Sequence, residues 1–281
     1  MSPALAAVTP ADVLPEISFS AADFERVRVL IHQRAGIHLN RSKQAMVYGR
    51  LSRRLRETGQ RSIADYLRTL EQDPAHNDEW QAFINCLTTN LTAFFREEHH
   101  FVELAADLRA RAGRPLRLWC NAASTGEEPY SIAITAAEAL GTDPELTILA
   151  TDIDTSVLDT ARRGVYEAGA RGLSPARLKR WFQRGTGANA GAIRVKPELA
   201  RAISWQAFNL MARDWRLGEP FDFVFCRNVM IYFDAPTQRR VLERIHAAMR
   251  AGGLLYVGHS ENFTDARDLF RLRGKTIYER L

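Results

Sequence analysis

Beyond Asn90 the chain alternates short apolar runs with helical stretches, and that alternation is the strongest constraint on its fold. Leu116 to Cys120 (LRLWC) reads as a buried strand, Asn121 to Gly126 as a loop, and Glu127 to Leu140 as a helix with Pro129 in its first turn. Leu146 to Thr151 (LTILAT) is the next strand, ending at Asp152-Ile153-Asp154. Ser156-x-x-Asp159 is a capping pattern for a further helix that Gly164 can terminate. Phe221 to Cys226 (FDFVFC) and Gly253 to Gly258 (GLLYVG) continue the series, with a helix from about Pro236 to Arg250 between them and one or two strands within Phe270 to Arg280. Parallel neighbours cannot be joined by a tight hairpin, so each intervening helix serves as a crossover. The expected fold is α/β, a doubly wound, mostly parallel sheet with helices on both faces.

Two segments depart from that rhythm. Residues 172–207 are rich in turns, with Ser174-Pro175 starting a short helix, glycines at 185, 187 and 191, and strand-like AIRV (Ala192 to Val195) and AISWQAF (Ala202 to Phe208). This exceeds ordinary loop lengths and predicts a small antiparallel β insertion. Residues 19–88 read as helical throughout, with capping patterns at Ser20-x-x-Asp23 and Ser62-x-x-Asp65, and form a small all-helical N-terminal domain ahead of a second domain over 89–281. Residues 1–18 contain no Lys or Arg and no long apolar stretch, which predicts a flexible tail instead of a signal peptide.

Charge is concentrated in the helical domain. Between residues 26 and 68 eleven Arg and Lys face two acids, a surplus of nine in a chain whose net charge is +5, so the remainder carries −4. From Lys43 to Arg56, Val47, Leu51 and Leu55 share one helix face while Lys43, Arg50, Arg53 and Arg54 share another. One side packs and the other presents cations. Charge alone leaves nucleic acid, an anionic membrane surface and an acidic protein helix all open as partners. Cys86, Cys120 and Cys226 are odd in number and never in a C-x-x-C pair, which argues against a disulfide framework or zinc knuckle and for a reducing cytosol. No apolar run approaches the roughly 20 residues of a membrane span.

In a doubly wound sheet, ligands bind beyond the carboxyl ends of the strands. After the first strand comes NAASTGEEPYS, with one glycine, and neither G-x-G-x-x-G nor a P-loop occurs. Glu127 and Glu128 sit where a phosphate would need backbone N–H groups, so they favour a cationic or hydroxyl-rich ligand. Asp152, 25 residues after Glu127, stands where such folds place an acid on a ribose diol. An adenosine ligand without phosphates satisfies both, and S-adenosylmethionine, with its sulfonium and ammonium, fits. His259-Ser260 lacks the G-x-S-x-G context of a hydrolase, and the histidines lack H-E-x-x-H spacing, so no metal is expected. Trp119, Trp181, Trp205 and Trp215 are scattered and read as core or interface anchors.

The strings TTNLTAFFRE (Thr88 to Glu97), AASTGEEPYSIA (Ala122 to Ala133), ATDID (Ala150 to Asp154), FCRNVMIYFD (Phe225 to Asp234) and GHSENF (Gly258 to Phe263) resemble, in order, those of the chemotaxis-receptor glutamate methyltransferases, the CheR family. The resemblance implies a class I, Rossmann-like methyltransferase fold. It implies methyl transfer from S-adenosylmethionine to receptor glutamate carboxylates, giving methyl esters and S-adenosylhomocysteine in chemotactic adaptation. It places the cofactor on Asn90, Thr92, Arg96, Glu127, Asp152, Asn209, Leu210, Arg227 and Asn228, with Asp152 on the ribose and Asn209-Leu210 by the adenine. Arg96 and Tyr232 become the candidate catalytic pair.

The same resemblance makes the basic helix, through Arg50, Arg53 and Arg54, a site for acidic receptor helices. RGTGANAG (Arg184 to Gly191) looks like the version of the insertion that docks a receptor C-terminal peptide. The competing nucleic-acid methyltransferase would carry an N/D-P-P-[YFW] motif after the fourth strand, where this chain reads Cys226-Arg227-Asn228-Val229. A cofactor-sensing module without activity would have lost Arg96 or GEEPYS, and both are present. The expectation is a cytoplasmic monomer with no nucleic-acid partner and no membrane insertion.

Overall fold

A computed structural model describes residues 17–73, 77–141 and 145–281, so all but the last two residues of the expected tail lie outside the described residues. The N-terminal part is built from four helices: α1 (Ala21–Ala35), α2 (Gln44–Thr58), α3 (Ile63–Gln72) and α4 (Asn77–Leu87). Ser20 and Asp23 close the expected capping box on α1, and Ser62 accepts from Asp65 N at the start of α3. Val47, Leu51 and Leu55 of α2 are fully buried and pack with Phe24, Tyr66 and Phe83 in one apolar core. Truncating Leu51 to Ala would remove about 2–5 kcal/mol from that core.

The remainder runs α5 (His99–Ala110), β1 (Leu116–Cys120), α6 (Glu127–Leu140), β2 (Leu146–Asp152), α7 (Thr155–Arg163), β3 (Val165–Glu167), α8 (Pro175–Trp181), β4 (Phe182–Arg184), β5 (Ala192–Val195), α9 (Pro197–Ala200), β6 (Ile203–Ala207), β7 (Phe221–Cys226), α10 (Ala235–Ala248), β8 (Met249–Val257), β9 (Phe270–Gly274) and β10 (Ile277–Arg280). The main sheet has the order β6-β2-β1-β7-β8-β10-β9. Its first five strands are parallel and its last two antiparallel. Strand alternation divides the core: Leu118 and Cys120 of β1 pack with Phe223, Phe225 and the α6 residues Ile132 and Ile134 on one face. Trp119 packs with Val224 and the α10 residues Val241 and Ile245 on the other. The strand order runs outward in both directions from β1, which makes the crevice between β1 and β7 the switch point of the sheet. Among the described residues no helix is long and apolar enough to cross a membrane.

A second, antiparallel sheet of order β3-β5-β4 forms the insertion, and its first strand, Val165–Glu167, lies ahead of the expected start at 172. Here further expectations need correction. The AISWQAF segment is not part of that small sheet: Ile203–Ala207 pairs in parallel with β2, from Ile148↔Ile203 to Asp152↔Ala207. It is an edge strand with Ser204 and Gln206 exposed, so its pattern carries no mark of which sheet receives it. The other correction concerns α7, whose cap is Asp154 and not Ser156. The Asp154 carboxylate accepts from Ser156 N at 3.0 Å and Val157 N at 3.4 Å, because the helix starts directly at the strand end and Asp caps as well as Ser. The expected helix Pro236 to Arg250 gives up its last two residues to β8.

Candidate functional site

The parallel strands all deliver their carboxyl ends to one side, and there a cavity lies between the sheet and the helical domain. Asp152 reaches it from β2, Asn121 and Ser124 from beyond β1, Asn209 and Leu210 from beyond β6, and Arg227 and Asn228 from beyond β7. The segment joining the two parts contributes Asn90, Thr92 and Arg96, the turn after β7 contributes Tyr232, and the helical domain covers the cavity with Ala35, His38, Lys43 and Met46. Glu127 does not line it, whereas Glu128 does. The Glu127 carboxylate accepts from the Thr125 hydroxyl at 2.6 Å, and burial pushes its pKa above the usual carboxylate range. Successive residues on a helix point about 100° apart, so a paired Glu-Glu motif divides its roles between cavity and wall.

Asp152 is 7% exposed; its two oxygens accept from Ser124 N at 2.8 Å and Asp154 N at 2.9 Å. Burial, only partly offset by those N–H groups, pushes its carboxyl up to about 6. Asp154, fully enclosed, ties the cap of α7 to the joining segment: its second oxygen accepts from Thr88 Oγ1 at 2.6 Å and Asn90 Nδ2 at 2.8 Å. Gln81 and Asn85 of α4 add bonds to Ile153 O and Thr155 Oγ1. On the far side of the cavity α1 and the loop after it make the second junction. His32 meets the Asp234 carboxylate at 3.0 Å, His38 N donates to Tyr232 O at 2.7 Å, and Asn209 Nδ2 donates to Arg34 O at 2.7 Å.

Arg227 has a wholly buried side chain held by Glu128, by the carbonyl of Arg96, and by Glu97 at 3.3 Å. Burial opposes ionisation of Glu97, yet Arg227 and His259 outweigh it and hold the carboxyl below its usual range. Burial, Arg227 and His99 push the His100 imidazole down to about 3, so it is neutral, and its Nε2 bridges to Thr276 Oγ1 at 2.9 Å. The Arg96 side chain makes one bond, from Nη1 to Leu91 O at 3.0 Å, and the residue lines the cavity. Four residues near these groups, Phe95, Glu97, Ser124 and Asn228, have φ between 49 and 59° without being glycine. Backbone strain of this kind is retained where the surroundings over-determine it, commonly around functional sites.

Glu261, which the sequence shows only as one residue of the GHSENF string, has a distinct task in the structure. It is 4% exposed and its carboxylate accepts from Gly258 N, Asn228 N, Val229 N and Met230 N at 2.6–2.9 Å, clamping the turn that carries Asn228 and Tyr232. Gly258 packs closely beside it: a Cβ there would stand 2.4 Å from Asn228 Nδ2 and 3.0 Å from Asn228 N. A lone acid between two loops has no sequence periodicity to reveal such a role.

The basic face of α2 is partly engaged. Arg50 donates to the carbonyls of Thr88 and Cys86, and Arg54 pairs with Glu79 and Glu57. Arg53 pairs with Glu57 at 3.2 Å but is 82% exposed. Trp119 and Trp181 are buried, and Trp205 and Trp215 are partly so. Among the described residues no group of three or more His, Cys, Asp or Glu could hold a metal ion.

The cavity suits an adenosine ligand without phosphates: a carboxylate stands at the end of β2, Glu128 lines the start of α6, and no glycine-rich phosphate cradle is present. Residues 90–278 match the family described as CheR methyltransferase, SAM binding domain, and residues 22–88 match the CheR methyltransferase all-alpha domain. The chain is 53% identical to a chemotaxis protein methyltransferase of Klebsiella aerogenes, over 95% of this chain and 92% of that one. It is 51% identical to the chemotaxis protein methyltransferase of Escherichia coli, over 93% and 92%, and 52% identical to chemotaxis protein methyltransferase 2 of Pseudomonas aeruginosa, over 96% and 98%. With both domain matches in sequence order and relatives alike over nearly their whole length, the chain belongs to the CheR methyltransferase family, its S-adenosylmethionine-binding domain preceded by an all-helical one.

Proposed function

We propose that the chain transfers a methyl group from S-adenosylmethionine to the side-chain carboxylates of specific glutamates on chemotaxis receptors, in the cytoplasm and as a monomer. The carrying observation is the cavity itself, which Asp152 and Arg96 both line beneath a basic helical domain. When bound, the cofactor supplies an electrophilic methyl on a sulfonium. A substrate carboxylate oxygen forms the new bond to that methyl while the carbon–sulfur bond breaks with its electron pair left on sulfur, so an ester and a neutral thioether result. One negative and one positive charge are consumed and no proton moves, so the chain needs no general base; positioning and exclusion of water supply the catalysis.

The residues divide accordingly. Asp152 accepts from the ribose hydroxyls, Asn209 and Leu210 flank the adenine, and Asn90, Thr92, Arg227 and Asn228 shape the remainder of the cofactor cleft, with Glu127 in the wall behind it. Arg96, with only one internal bond, offers a planar fork to a carboxylate, and Tyr232 orients the substrate opposite it. Arg53, whose guanidinium stands in solvent, is the foremost of the three arginines for an acidic receptor helix, with Arg50 and Arg54 beside it. A receptor C-terminal peptide would add a strand to the free edge of β4, next to the loop formed by RGTGANAG. The test is labelled-methyl transfer to chemoreceptor fragments and to nucleic acid in parallel, followed by mild alkali. Label on the receptor that alkali releases supports carboxyl methylation, whereas alkali-stable label or label on nucleic acid refutes it.

A further inference from the structure

Arg96 sits between two residues in the left-handed region, Phe95 with φ 52° and Glu97 with φ 59°, and neither is glycine. A turn strained in this way keeps its shape only where neighbours hold it from several sides. Ahead of Arg96, Phe95 N donates to Ser131 Oγ at 2.9 Å and the Phe95 ring packs against the Arg177 guanidinium. Behind it, Glu97 O accepts from His100 N at 3.0 Å, at the start of α5. The carbonyl of Arg96 itself accepts from Nη2 of the buried Arg227.

The Glu97 carboxylate faces that same nitrogen. Its side chain is 10% exposed, and Oε2 stands 3.3 Å from Arg227 Nη2, 3.2 Å from His259 Nδ1 and 3.6 Å from His100 Nδ1, while Oε1 accepts from His259 N at 3.4 Å. Arg227 is thus held between two acids, with Nη1 on Glu128 and Nη2 toward Glu97. A buried guanidinium takes its place from the charges around it, so a neutral residue at 97 would leave Glu128 to draw the group alone, away from Arg96 O.

We propose that Glu97 is a positioning residue for methyl transfer: through Arg227 it fixes the carbonyl of Arg96, and with it the direction in which the Arg96 guanidinium meets the substrate carboxylate. Glu97 does not itself line the cavity, so its effect passes through these neighbours. The assignment rests on the reading of Arg96 given above as the group that receives that carboxylate. A displacement of about 1 Å at such a group is enough to lower a rate by about 100-fold.

The experiment is a double-mutant cycle on the full chain, with Glu97→Gln, Arg96→Ala and the two together, read by labelled-methyl transfer to chemoreceptor fragments and by thermal melting. Glu97→Gln should lower kcat about 10- to 100-fold and leave KM for S-adenosylmethionine within about twofold. In the Arg96→Ala background the same change should cost less than about twofold in kcat, because no guanidinium is left to aim, while its shift in melting temperature should be the same in both backgrounds. Rate losses that multiply in the double variant, an unchanged kcat, or a cofactor KM that rises as far as kcat falls each overturn the assignment. Should Glu97→Gln fail to fold, Glu97→Asp keeps the charge beside Arg227 but withdraws it by one methylene, and it carries the same cycle with the same expectations. If Arg96→Ala alone leaves the rate unchanged, the reading of Arg96 falls and this assignment with it.

Discussion

Lowering the pH should weaken cofactor binding through Asp152 in a way that can be calculated. Its carboxyl stands at about 6 in the ligand-free chain, pushed up by burial. A ribose diol donates to the ionised form, whose population falls from about 0.97 at pH 7.5 to about 0.09 at pH 5 for that pKa. If only this form binds, the dissociation constant rises about tenfold over that interval. The stability of the ligand-free fold runs the other way. Because the folded value lies above the unfolded one, the contribution of Asp152 is fully present below about pH 4 and is lost as pH rises through 6, a loss of about 3 kcal/mol. The assay is calorimetric titration with S-adenosylhomocysteine at half-unit steps from pH 5 to 7.5, in the parent chain and in Asp152→Asn. His38 also lines the cavity, so the series is repeated in a His38→Gln background. The variant should bind weakly and without the pH step. A flat profile in the parent chain, or the same step in Asp152→Asn, would falsify the role given to this carboxylate.

Other perturbations have equally definite outcomes. Arg96→Ala should reduce turnover on receptor fragments by more than about 100-fold while the melting temperature moves by less than about 2 °C, since the side chain makes a single internal bond; an unchanged rate at saturating cofactor refutes its catalytic role. Glu261→Gln forfeits at least two of four bonds from backbone N–H groups to a buried carboxylate. It should cost about 3 kcal/mol or more in urea unfolding, and a loss under 1 kcal/mol would show that the clamp is dispensable. Gly185→Ala would set a Cβ 2.0 Å from Asn189 O and should break the β4–β5 hairpin. Affinity for a receptor C-terminal peptide should vanish while methylation of receptor fragments lacking that peptide persists; retained peptide binding contradicts the tethering site.

Much of this was legible in the sequence where a periodic signal and a local physical cause coincide. LRLWC, FDFVFC and the helix from Glu127 carry apolar patterns long enough to specify element type, and the structure returns all three with the expected bounds. The small sheet was harder, because β6 is a half-exposed edge strand and its pattern says nothing about which neighbour it joins. Long-range pairing also explains the rest. That Arg50 would turn to the carbonyls of Cys86 and Thr88, or Arg54 to Glu79, depends on how α2 lies against α4, whereas the sequence shows only that those cations share a face. Glu261 gains its meaning from two loops brought together beyond the sheet, and a single polar residue in a loop leaves no periodic trace.

The two junctions flanking the cavity are made by residues that also belong to it. Asn209 is bonded to Arg34 O, Tyr232 O to His38 N, and Asn90 to Asp154. Any lifting of the helical domain from the sheet would break bonds made by residues of the cavity, so occupancy of the cavity and seating of that domain would be linked, and linkage is reciprocal. Whatever factor the bound cofactor contributes to closing the helical domain over the sheet, a receptor helix that holds the domain closed returns to cofactor affinity. The enzyme would then retain its methyl donor most tightly when an acceptor is already in place.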